Sequence, residues 1–569
     1  MPVQKSNNSC SIMMETKRIT AEQVFLGLLT VLLVLESVSF FIYPVAAFDS
    51  ASQLNWLDQF PALVRSGIFY PHWLPRANWG FGSPSFYFYP PLTFWFATPL
   101  SFLSPSPYFL FQSVAAITTI LSGIACYYFL RVHASKRISL IGSLIYISLP
   151  YRFVDLYLRN ALGEHIAFIW FPLILLSIEW CLDSKITGRR ATFRIITLSA
   201  FAWFGILLTN IPSSVIAIYF SMMFCFLRIR KLRTFWNLIP AFGGALLGAL
   251  MSAAYLLPVE EISNTINLAH LWDVDNSPYA IIHALAKQEH LTYFSALWLT
   301  LATGVWIFVS LFRSYRKEND LVRKKQRFVW TAIVFFCVVI QIPYLLMPLW
   351  NALPLFSFIQ FTWRWNIVIV IATVVYYVFD SAHNHRTINL WIFSGIFLCT
   401  IGFGLIYFFS NGGFSWQYVH SPVEKAEDYR QQNLLNAHLR QPRLEDSKNI
   451  PLVSFAQENI DGRKLSITDS SDEHIQFTAS NISQTDEVIF HRLYFPSWKL
   501  HTISGEEIPV YSDSIGRINA MLPTGDHTYI LQIETMKSEI IGKYISYITI
   551  AIFILLLFVT IFWRNPKAS

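Results

Sequence analysis

Ionisable side chains that border long apolar runs are the residues of this chain best suited to chemistry. The stretch YRFVDLYLRNALGEH places Arg152, Asp155, Arg159, Glu164 and His165 in one short turn between two apolar segments. Helical spacing would put Arg152, Asp155 and Arg159 on one face. Ionisable groups in such a position can bind a charged or hydroxylated substrate. The alternative is an internally neutralised ion-pair cluster that fixes two helix ends.

A second basic site lies in LPLFSFIQFTWRWN, where Arg364 stands between Trp363 and Trp365 at the entrance of an apolar run. A guanidinium held beside aromatic rings suits a lipid phosphate at the membrane surface. The alternative is an interfacial anchor, with tryptophan and arginine at headgroup level. Both interpretations place Arg364 at a membrane boundary.

The acid Asp49 follows the first apolar run, in PVAAFDSASQ. A carboxylate there can act as a general base. It can also be a solvated loop acid, or the N-cap of a helix that begins at Ser50. Its position just before an unusual loop favours a functional role.

That loop, YPHWLPRANWGFGSPSFYFYPPL at residues 70–92, has no helical or strand period. Its prolines forbid long regular elements, and its aromatic residues are too many for a solvated loop. The sequence predicts a stiff, ordered loop at the outer leaflet that forms one wall of a lipid-facing site. His72 and Arg76 would face that site and contact substrate.

A further outer segment, PVEEISNTINLAHLWDVD, carries Glu260. Carboxylates that converge there could bind a metal ion or a substrate hydroxyl. No compact ligand spacing is present, so a solvated acidic loop is the alternative. We retain Glu260 as a substrate-binding candidate and expect no metal site; a divalent metal is possible but not favoured.

The elements that must position these residues are membrane helices. Hydrophobic residues make up 54% of the 569 residues and charged residues 14%, far from the composition of soluble domains. Apolar runs predict about twelve spans. These are residues 23–45, 108–130, 137–151, 165–182, 192–209, 211–227, 236–257, 292–312, 327–347, 365–380, 389–409 and 543–562.

The positive-inside rule gives an orientation in which both termini are cytoplasmic. The outer loops are then 46–107, 151–164, 258–291 and 347–364, provided that the proline-led run 90–104 does not cross. About fifteen residues are short for a span, so this run is an interfacial or a re-entrant helix. The net charge of +7 reflects this topology and not affinity for nucleic acid.

The outward stretch 410–541 differs from the rest of the chain. It begins polar and helix-like and then turns into short alternating runs such as HIQFTAS and TYILQIE, with SGEE and TGDH as turn signals. This pattern predicts an antiparallel β-sandwich. The six cysteines all lie outside it, so neither a disulfide framework nor a cysteine-based metal site is expected there.

Several function classes are disfavoured by what the sequence lacks. It contains no Walker A pattern, no GxGxxG, no HExxH and no GxSxG with a plausible triad. Charges within the spans are few, and no inverted repeat with matching broken helices is visible, which disfavours a proton-coupled transporter. The chemistry is therefore expected at the outer surface.

The order of these features resembles the GT-C superfamily of membrane glycosyltransferases. SGIFYPHWLPRANWGFGSPSFYFYPPL, YLRNALGEHIAFIWFPL, LPLFSFIQFTWRW and the β-rich tail from LYFPSWKL onward are similar to blocks of a bacterial branch. That branch is labelled YfhO-like or 6-pyruvoyl-tetrahydropterin-synthase-related integral membrane proteins. The resemblance covers most of the chain in consistent order.

This resemblance implies an inverting sugar transfer from a polyprenyl-phosphate donor to an acceptor on the outer face of a bacterial cytoplasmic membrane. Asp49 matches the catalytic acid of the first outer loop. Arg159 and Arg364 are the candidates for the donor phosphate, and Glu164 corresponds in place to an acid of the second loop. The single Glu164, where metal-dependent oligosaccharyltransferases have paired acids, disfavours an obligatory metal.

The resulting expectation is a polytopic α-helical GT-C-like domain at 1–409, an extracytoplasmic β domain at 410–541, and a final helix with a cytoplasmic tail at 542–569. The acceptor would be an envelope glycan, a glycolipid or a polymer. Asp155, His165, His72, Arg76 and Glu260 complete the expected substrate site. The rival interpretations are a lipid-linked glycan transporter or flippase, and a non-catalytic glycan-binding scaffold. Convergence of Asp49, Arg159, Glu164 and Arg364 on one cavity would favour the transferase.

Overall fold

A computed structural model describes much of the chain between Ser50 and Phe562. The described residues are 50–183, 186, 188–228, 232–263, 291–341, 348, 350, 352–359, 361–384, 460–461, 465–471, 473–482, 486–513 and 516–562. The predicted spans 23–45 and 389–409, the catalytic candidate Asp49, and the polar segment at the start of the predicted β domain lie outside these residues.

Helices account for most of the described chain up to residue 384. We number them in chain order as α1 (Ser50–Arg65), α2 (Ser85–Phe88), α3 (Leu92–Leu100), α4 (Pro107–Leu130), α5 (Lys136–Ser148), α6 (Pro150–Phe153), α7 (Leu162–Leu182), α8 (Arg189–Leu207), α9 (Ile211–Arg228), α10 (Leu232–Asn237), α11 (Ile239–Met251), α12 (Ala253–Ile262), α13 (Leu291–Lys317), α14 (Leu321–Val339), α15 (Asn366–Asn384) and α16 (Lys537–Phe562).

Six helical segments of the described chain are long and apolar enough to cross a membrane. They are α4, α7, α8, α9, α16 and the stretch Thr362–Phe379, which includes most of α15. Each overlaps a predicted span. The predicted span 137–151 corresponds to α5, whose thirteen residues reach only about 20 Å.

The central helix of the bundle is α7, which is apolar around nearly its whole circumference and buried along it. A helix of this kind belongs in the interior of a bundle, not at its surface. It packs against α4 and α8. By contrast, most of the apolar length of α16 is exposed, as expected for a helix that faces lipid.

The predicted span 236–257 is broken. α11 and α12 meet at Ser252 with a bend of 67°. A break frees backbone donors, which must find partners at membrane depth. The Ala254 amide donates to Ser546 Oγ of α16 at 2.9 Å. Gly542 packs against the backbone of Ala253. The final helix therefore packs directly on the bend and supplies a hydrogen-bond partner there.

The C-terminal region contains two antiparallel β-sheets. The strands are β1 (Ile460–Asp461), β2 (Leu465–Ser471), β3 (His474–Ile482), β4 (Asp486–Leu493), β5 (Trp498–Thr502), β6 (Glu507–Ile508), β7 (Val510–Ser512), β8 (Arg517–Leu522) and β9 (Gly525–Ile533). One sheet has the order β1-β4-β8-β7 and the other β2-β3-β9-β5-β6. Phe477 of β3 and Phe490 of β4 are in edge contact at 5.6 Å, so the two sheets share a core. The turn signals SGEE and TGDH fall at the β5–β6 and β8–β9 connections.

The proline-rich loop at 70–92 is ordered, as predicted, but its surroundings differ from the prediction. Leu74 and Phe86 join the core of the helical bundle, whereas Trp73 and Phe81 join the core of the β region. Trp73 meets Trp498 edge-on at 5.4 Å. The loop therefore connects two cores. Trp73, Leu74, Phe81 and Phe86 are buried against protein, so these side chains do not form a lipid-facing wall.

Candidate active site

Asp155 lies in a single π-helical turn, Val154–Leu158, between α6 and α7, and Arg159 directly follows this turn. The Arg159 amide donates to the Val154 carbonyl at 3.0 Å, five residues back along the chain. Asn160 then adopts a positive φ of 55°, a conformation that asparagine tolerates better than most residues. This turn brings Arg159 Nη1 to 3.0 Å from Asp155 Oδ1 and leads directly into α7.

Glu164 is the centre of the site. It lies in the first turn of α7, where the helix dipole favours a negative charge, and is only 2% exposed. Its Oε2 accepts a hydrogen bond from Arg159 Nη1 at 2.7 Å and lies 3.1 Å from Arg364 Nε. Its Oε1 accepts a hydrogen bond from the Tyr151 hydroxyl. One carboxylate thus accepts hydrogen bonds from Tyr151 and Arg159 and forms an ion pair with Arg364, from a distant part of the chain.

Arg364 enters the site from the 3₁₀ turn Thr362–Trp365, just before α15. Its Nη1 donates to the Ile359 carbonyl at 3.0 Å, which fixes the guanidinium. The Phe361 ring lies 5.1 Å from the Arg364 guanidinium and 5.8 Å from that of Arg159. Cation–π contact at these distances steadies both charges.

The charges in this cluster balance. Arg159 and Arg364 supply two positive charges, and Asp155 and Glu164 supply two negative ones. Buried charges are stable only when paired in this way. The contacts are those of the internally neutralised cluster, which was the alternative interpretation of the sequence. The flanking Trp363 and Trp365 are buried, so they are not headgroup anchors.

His165 lies next to Glu164 in sequence but contacts a different set of side chains. Its Nε2 is 3.0 Å from Thr119 Oγ1 and 3.4 Å from Arg152 Nη2. Arg152 Nη1 also donates to Ser122 Oγ at 2.8 Å. Arg152 therefore contacts Ser122 of α4 and His165 of α7.

Three other predicted site residues lie elsewhere. Arg76 Nη2 is 3.1 Å from Asp58 Oδ2 of α1. Glu260 is exposed on α12. His72 stacks on Tyr87 at 4.5 Å and faces the start of α16. The contacts described for these side chains lie outside the Glu164 cluster: Arg76 pairs with α1, His72 packs on Tyr87, and Glu260 is exposed.

His72 is an uncharged histidine at neutral pH. Burial, together with the nearby Lys543 ammonium, lowers the pKa of His72 to about 3. The 3.7 Å approach of its Nδ1 to Glu539 Oε2 is therefore a contact of a neutral imidazole with a carboxylate, and not an ion pair. The Tyr87 hydroxyl donates to the other oxygen of Glu539 at 3.1 Å.

Two residues of the cluster were missed from the sequence. Tyr151 could have been found, since it lies four residues before Asp155 and eight before Arg159, at helical spacing on the same face. The contact of Phe361 with Arg364 could have been expected, since the two lie three residues apart, but nothing in the sequence pairs its ring with the distant Arg159.

Glu164 is a poor metal ligand in this arrangement. Both of its oxygens accept from Tyr151 or face an arginine, so a divalent cation would have to displace donors that carry positive charge. Among the described residues no group of three or more His, Cys, Asp or Glu side chains is placed to hold a metal ion.

Comparison with known proteins finds neither a matching family model nor a matching curated sequence. Two solved structures are similar at a low level. One is the oligosaccharyltransferase AglB from Archaeoglobus fulgidus in complex with an inhibitory peptide and a dolichol-phosphate. It is 12% identical with a TM-score of 0.41, over 77% of this chain and 62% of that one.

The other is an Archaeoglobus fulgidus oligosaccharyltransferase tethered to an acceptor peptide that contains an NVT sequon. It is 14% identical with a TM-score of 0.38, over 73% of this chain and 55% of that one. The matches thus span about three-fifths or less of the length of these proteins. A likeness of this strength does not define a family for the chain.

Proposed function

We propose that the chain is a GT-C-type membrane glycosyltransferase of the YfhO-like branch, with about twelve spans and a C-terminal β-sandwich. It would move a sugar, with inversion, from a polyprenyl-phosphate donor to an envelope glycan, glycolipid or polymer acceptor. The site would face the outer side of a bacterial cytoplasmic membrane. The sequence resemblance and the membrane-spanning helices support this proposal.

One observation carries the proposal: Arg159 and Arg364, far apart in the chain, meet at one carboxylate and one aromatic ring. A transferase that releases a lipid phosphate needs cations held ready at the point where negative charge develops. A guanidinium has five N–H donors, so it can hold Glu164 and a phosphate oxygen together.

In the proposed reaction, the oxygen of an acceptor hydroxyl attacks the anomeric carbon of the donor. Asp49 takes the hydroxyl proton as general base. The bond between the anomeric carbon and the phosphate oxygen breaks, and its electron pair leaves with the lipid phosphate. Arg159 and Arg364 stabilise that charge, and Glu164 and Asp155 position the two arginines.

The contacts of the remaining candidates define their place in this proposal. His165 lies at the edge of the cluster, where it could meet a substrate hydroxyl. His72, Arg76 and Glu260 take no part, because their contacts lie elsewhere. Asp49 immediately precedes α1, and its role rests on the sequence resemblance alone.

A non-catalytic scaffold is the second candidate, and the charge balance of the cluster favours it. Two arginines neutralised by two carboxylates need no ligand to be stable. A scaffold would use the cluster only to join α7 to the turn before α15. A transporter is a weaker alternative, because the predicted spans carry few charges.

A transfer assay separates these candidates. The purified protein is reconstituted with polyprenyl-phosphate sugars and cell-envelope acceptor extracts, and product formation is compared with that of Asp49→Ala and Arg364→Gln. Arg327→Gln is the matched control, since it breaks the ion pair between Arg327 of α14 and Glu318 of the α13–α14 connection. Transfer by the parent and the control, but not by the two site variants, is expected. Equal transfer by all four proteins would remove Asp49 and Arg364 from catalysis, and no transfer by the parent would favour the scaffold.

A further inference from the structure

Two buried glutamines of α1 differ in how their amide groups are bonded. Gln59, 1% exposed, donates to Asn55 Oδ1 at 2.6 Å, and its Oε1 accepts from the Arg76 amide at 2.9 Å. Gln53, 3% exposed, donates from Nε2 to the Tyr89 hydroxyl at 3.3 Å. The Oε1 of Gln53 is buried and has no hydrogen-bond partner among the residues that the structure describes.

The missing hydrogen bond of Gln53 is costly. A buried acceptor without a partner destabilises the folded protein by about 1–3 kcal/mol, and such groups are rare enough in native structures to need an explanation. Exchanging the two amide atoms of Gln53 does not remove the cost, because Nε2 would then be the atom without a partner. A hydroxyl group, which both donates and accepts, would satisfy either arrangement.

Gln53 lies close to the start of α7, the helix that carries Glu164. The two are linked through Tyr89, whose ring packs on Trp56 of α1 at 4.4 Å. Gly163 immediately precedes Glu164, and a methyl group on Gly163 would come within 2.9 Å of the Tyr89 hydroxyl oxygen. The absence of a side chain at Gly163 therefore lets Tyr89, with Gln53 bonded to it, approach the first turn of α7.

The position of Gln53 in the chain indicates which substrate it would meet. Asp49, the proposed general base, lies four residues before Gln53, and four residues extend at most about 14 Å. A general base must lie at the hydroxyl of the acceptor, whereas Arg159 and Arg364 are assigned to the phosphate of the donor. A saccharide acceptor carries further hydroxyl groups, which match the unsatisfied amide of Gln53.

We propose that Gln53 binds a saccharide hydroxyl of the acceptor, next to the hydroxyl that attacks the donor, and that Tyr89 positions Gln53 for this contact. The acceptor would supply the hydrogen bond that Oε1 lacks. This inference rests on the proposed transferase function and names the acceptor side of that site. The other occupant that could satisfy the amide is a buried water molecule.

Thermal unfolding of Gln53→Leu and Gln59→Leu in detergent micelles separates a substrate contact from a structural one. Gln53→Leu removes an unsatisfied acceptor together with one hydrogen bond, so we expect it to unfold at the temperature of the parent or above it. Gln59→Leu removes two hydrogen bonds from a fully bonded amide, so we expect it to unfold about 2–5 °C below the parent. Equal destabilisation by the two variants would make Gln53 a structural residue and overturn the proposal.

The transfer assay gives the second readout, with a polyprenyl-phosphate sugar as donor and cell-envelope extract as acceptor. Gln53→Leu is expected to need about 2- to 12-fold more extract for its half-maximal rate, with the half-saturating donor concentration unchanged. Tyr89→Phe keeps the ring and should give a smaller rise. Gln59→Leu should need as much extract as the parent.

Three outcomes would contradict the expectation. If Gln53→Leu needs no more extract than the parent, Oε1 holds only water, and the proposal is overturned. Equal rises for Gln53→Leu and Tyr89→Phe would mean that Gln53 acts only through Tyr89, which would also overturn it. Absence of transfer by the parent would overturn the proposed function itself and, with it, the acceptor contact, whereas the first two outcomes concern Gln53 alone.

Discussion

A single carboxylate, Glu164, organises the charged residues that the sequence singled out. Arg159, Glu164 and Arg364 were identified because ionisable groups at the ends of apolar runs are costly and seldom incidental. Their meeting point could not be predicted, since it depends on the π turn at Val154–Leu158 and on the packing of α15 against the bundle.

Replacement of Glu164 should destabilise the protein strongly. Glu164→Gln leaves two buried guanidinium groups without their shared carboxylate, a change that costs about 3–5 kcal/mol. Tyr151→Phe keeps both ion pairs and loses one hydrogen bond, so its loss is expected to be smaller. Thermal unfolding in detergent micelles measures both.

Glu507→Gln serves as the control for that comparison, since Glu507 pairs with Lys499 on the surface of the β region, where ion pairs contribute little. A Glu164→Gln protein as stable as Glu507→Gln would show that the cluster does not hold the two chain segments together.

His72 should make stability depend on pH. Its pKa is lowered to about 3 in the folded protein, whereas an unfolded histidine has a pKa of about 6.5. As the pH falls below 6.5 the unfolded state binds a proton that the folded state does not. The free energy of unfolding therefore decreases, by about 2 kcal/mol between pH 7 and pH 5.

The measurement is the pH dependence of thermal unfolding for the parent and for His72→Gln, which cannot titrate at this position. The other histidines are common to both proteins, so the difference between the two profiles isolates His72. Parallel profiles from pH 7 to pH 5 would contradict a neutral, buried imidazole.

At the scale of elements, the sequence predicted where helices lie better than it predicted whether each helix is continuous. Apolar runs located α4, α7, α8 and α9 within a few residues, because length and hydropathy suffice to define a span. The break at Ser252 was missed. Its freed amide is satisfied by Ser546 from a helix almost 300 residues away, and no local pattern encodes that contact.

The loop at 70–92 likewise shows that local sequence does not reveal which distant residues a segment contacts. Its prolines and aromatics correctly predicted an ordered segment, yet an apolar side chain can be buried by lipid or by protein, and the sequence does not distinguish these. The β region provides the second core. The Leu493 amide donates to the Phe81 carbonyl at 2.7 Å, and Arg492 Nη1 donates to that of Gly80 at 3.2 Å.

Gly82→Ala tests this packing. Gly82 has a φ of +83°, and a methyl group there would overlap the indole ring of Trp73. Trp73 would have to leave its place against Trp498, so we expect a loss of about 1–3 kcal/mol from overpacking and added strain. Thermal unfolding and the fluorescence of the parent and the variant report the change.

Gly67→Ala is the matched control, because Gly67 also has a positive φ, +107°, but open space around it. Gly67→Ala therefore introduces the unfavourable φ of a non-glycine residue but no steric overlap with a neighbouring side chain. Equal destabilisation by the two variants would mean that backbone strain alone, and not the contact with Trp73, accounts for the effect.

At the scale of the molecule, the β region is part of the structure and not a tethered appendage. Phe495, a buried residue between β4 and β5, contacts Tyr87 at 4.9 Å and Phe88 at 6.3 Å, measured between ring centroids. Glu539 at the start of α16 reaches the same loop. The loop, the β region and the final helix thus meet at one junction.

A substitution that weakens the packing at this junction should increase local opening both in the loop 70–92 and in the β region. Phe495→Ala removes a buried ring, and we expect faster amide hydrogen exchange in the loop 70–92 as well as in β4 and β5. Tyr511→Ala, at a half-exposed position of β7, should leave exchange in the loop unchanged. If exchange rises in the β region alone, the helical bundle is sufficient to order the loop, and packing against Phe495 does not contribute.

The most direct test of the account is the binding of a polyprenyl phosphate to the purified protein in nanodiscs, measured for the parent, Arg159→Gln, Arg364→Gln and the control Arg327→Gln. Loss of a hydrogen bond to a charged group costs about 1.5–3 kcal/mol, which corresponds to about a 10- to 150-fold weaker affinity. We predict this loss for both site variants and an unchanged affinity for the control. Equal affinity for all four proteins, with each variant folded, would contradict the assignment of Arg159 and Arg364 to the donor phosphate.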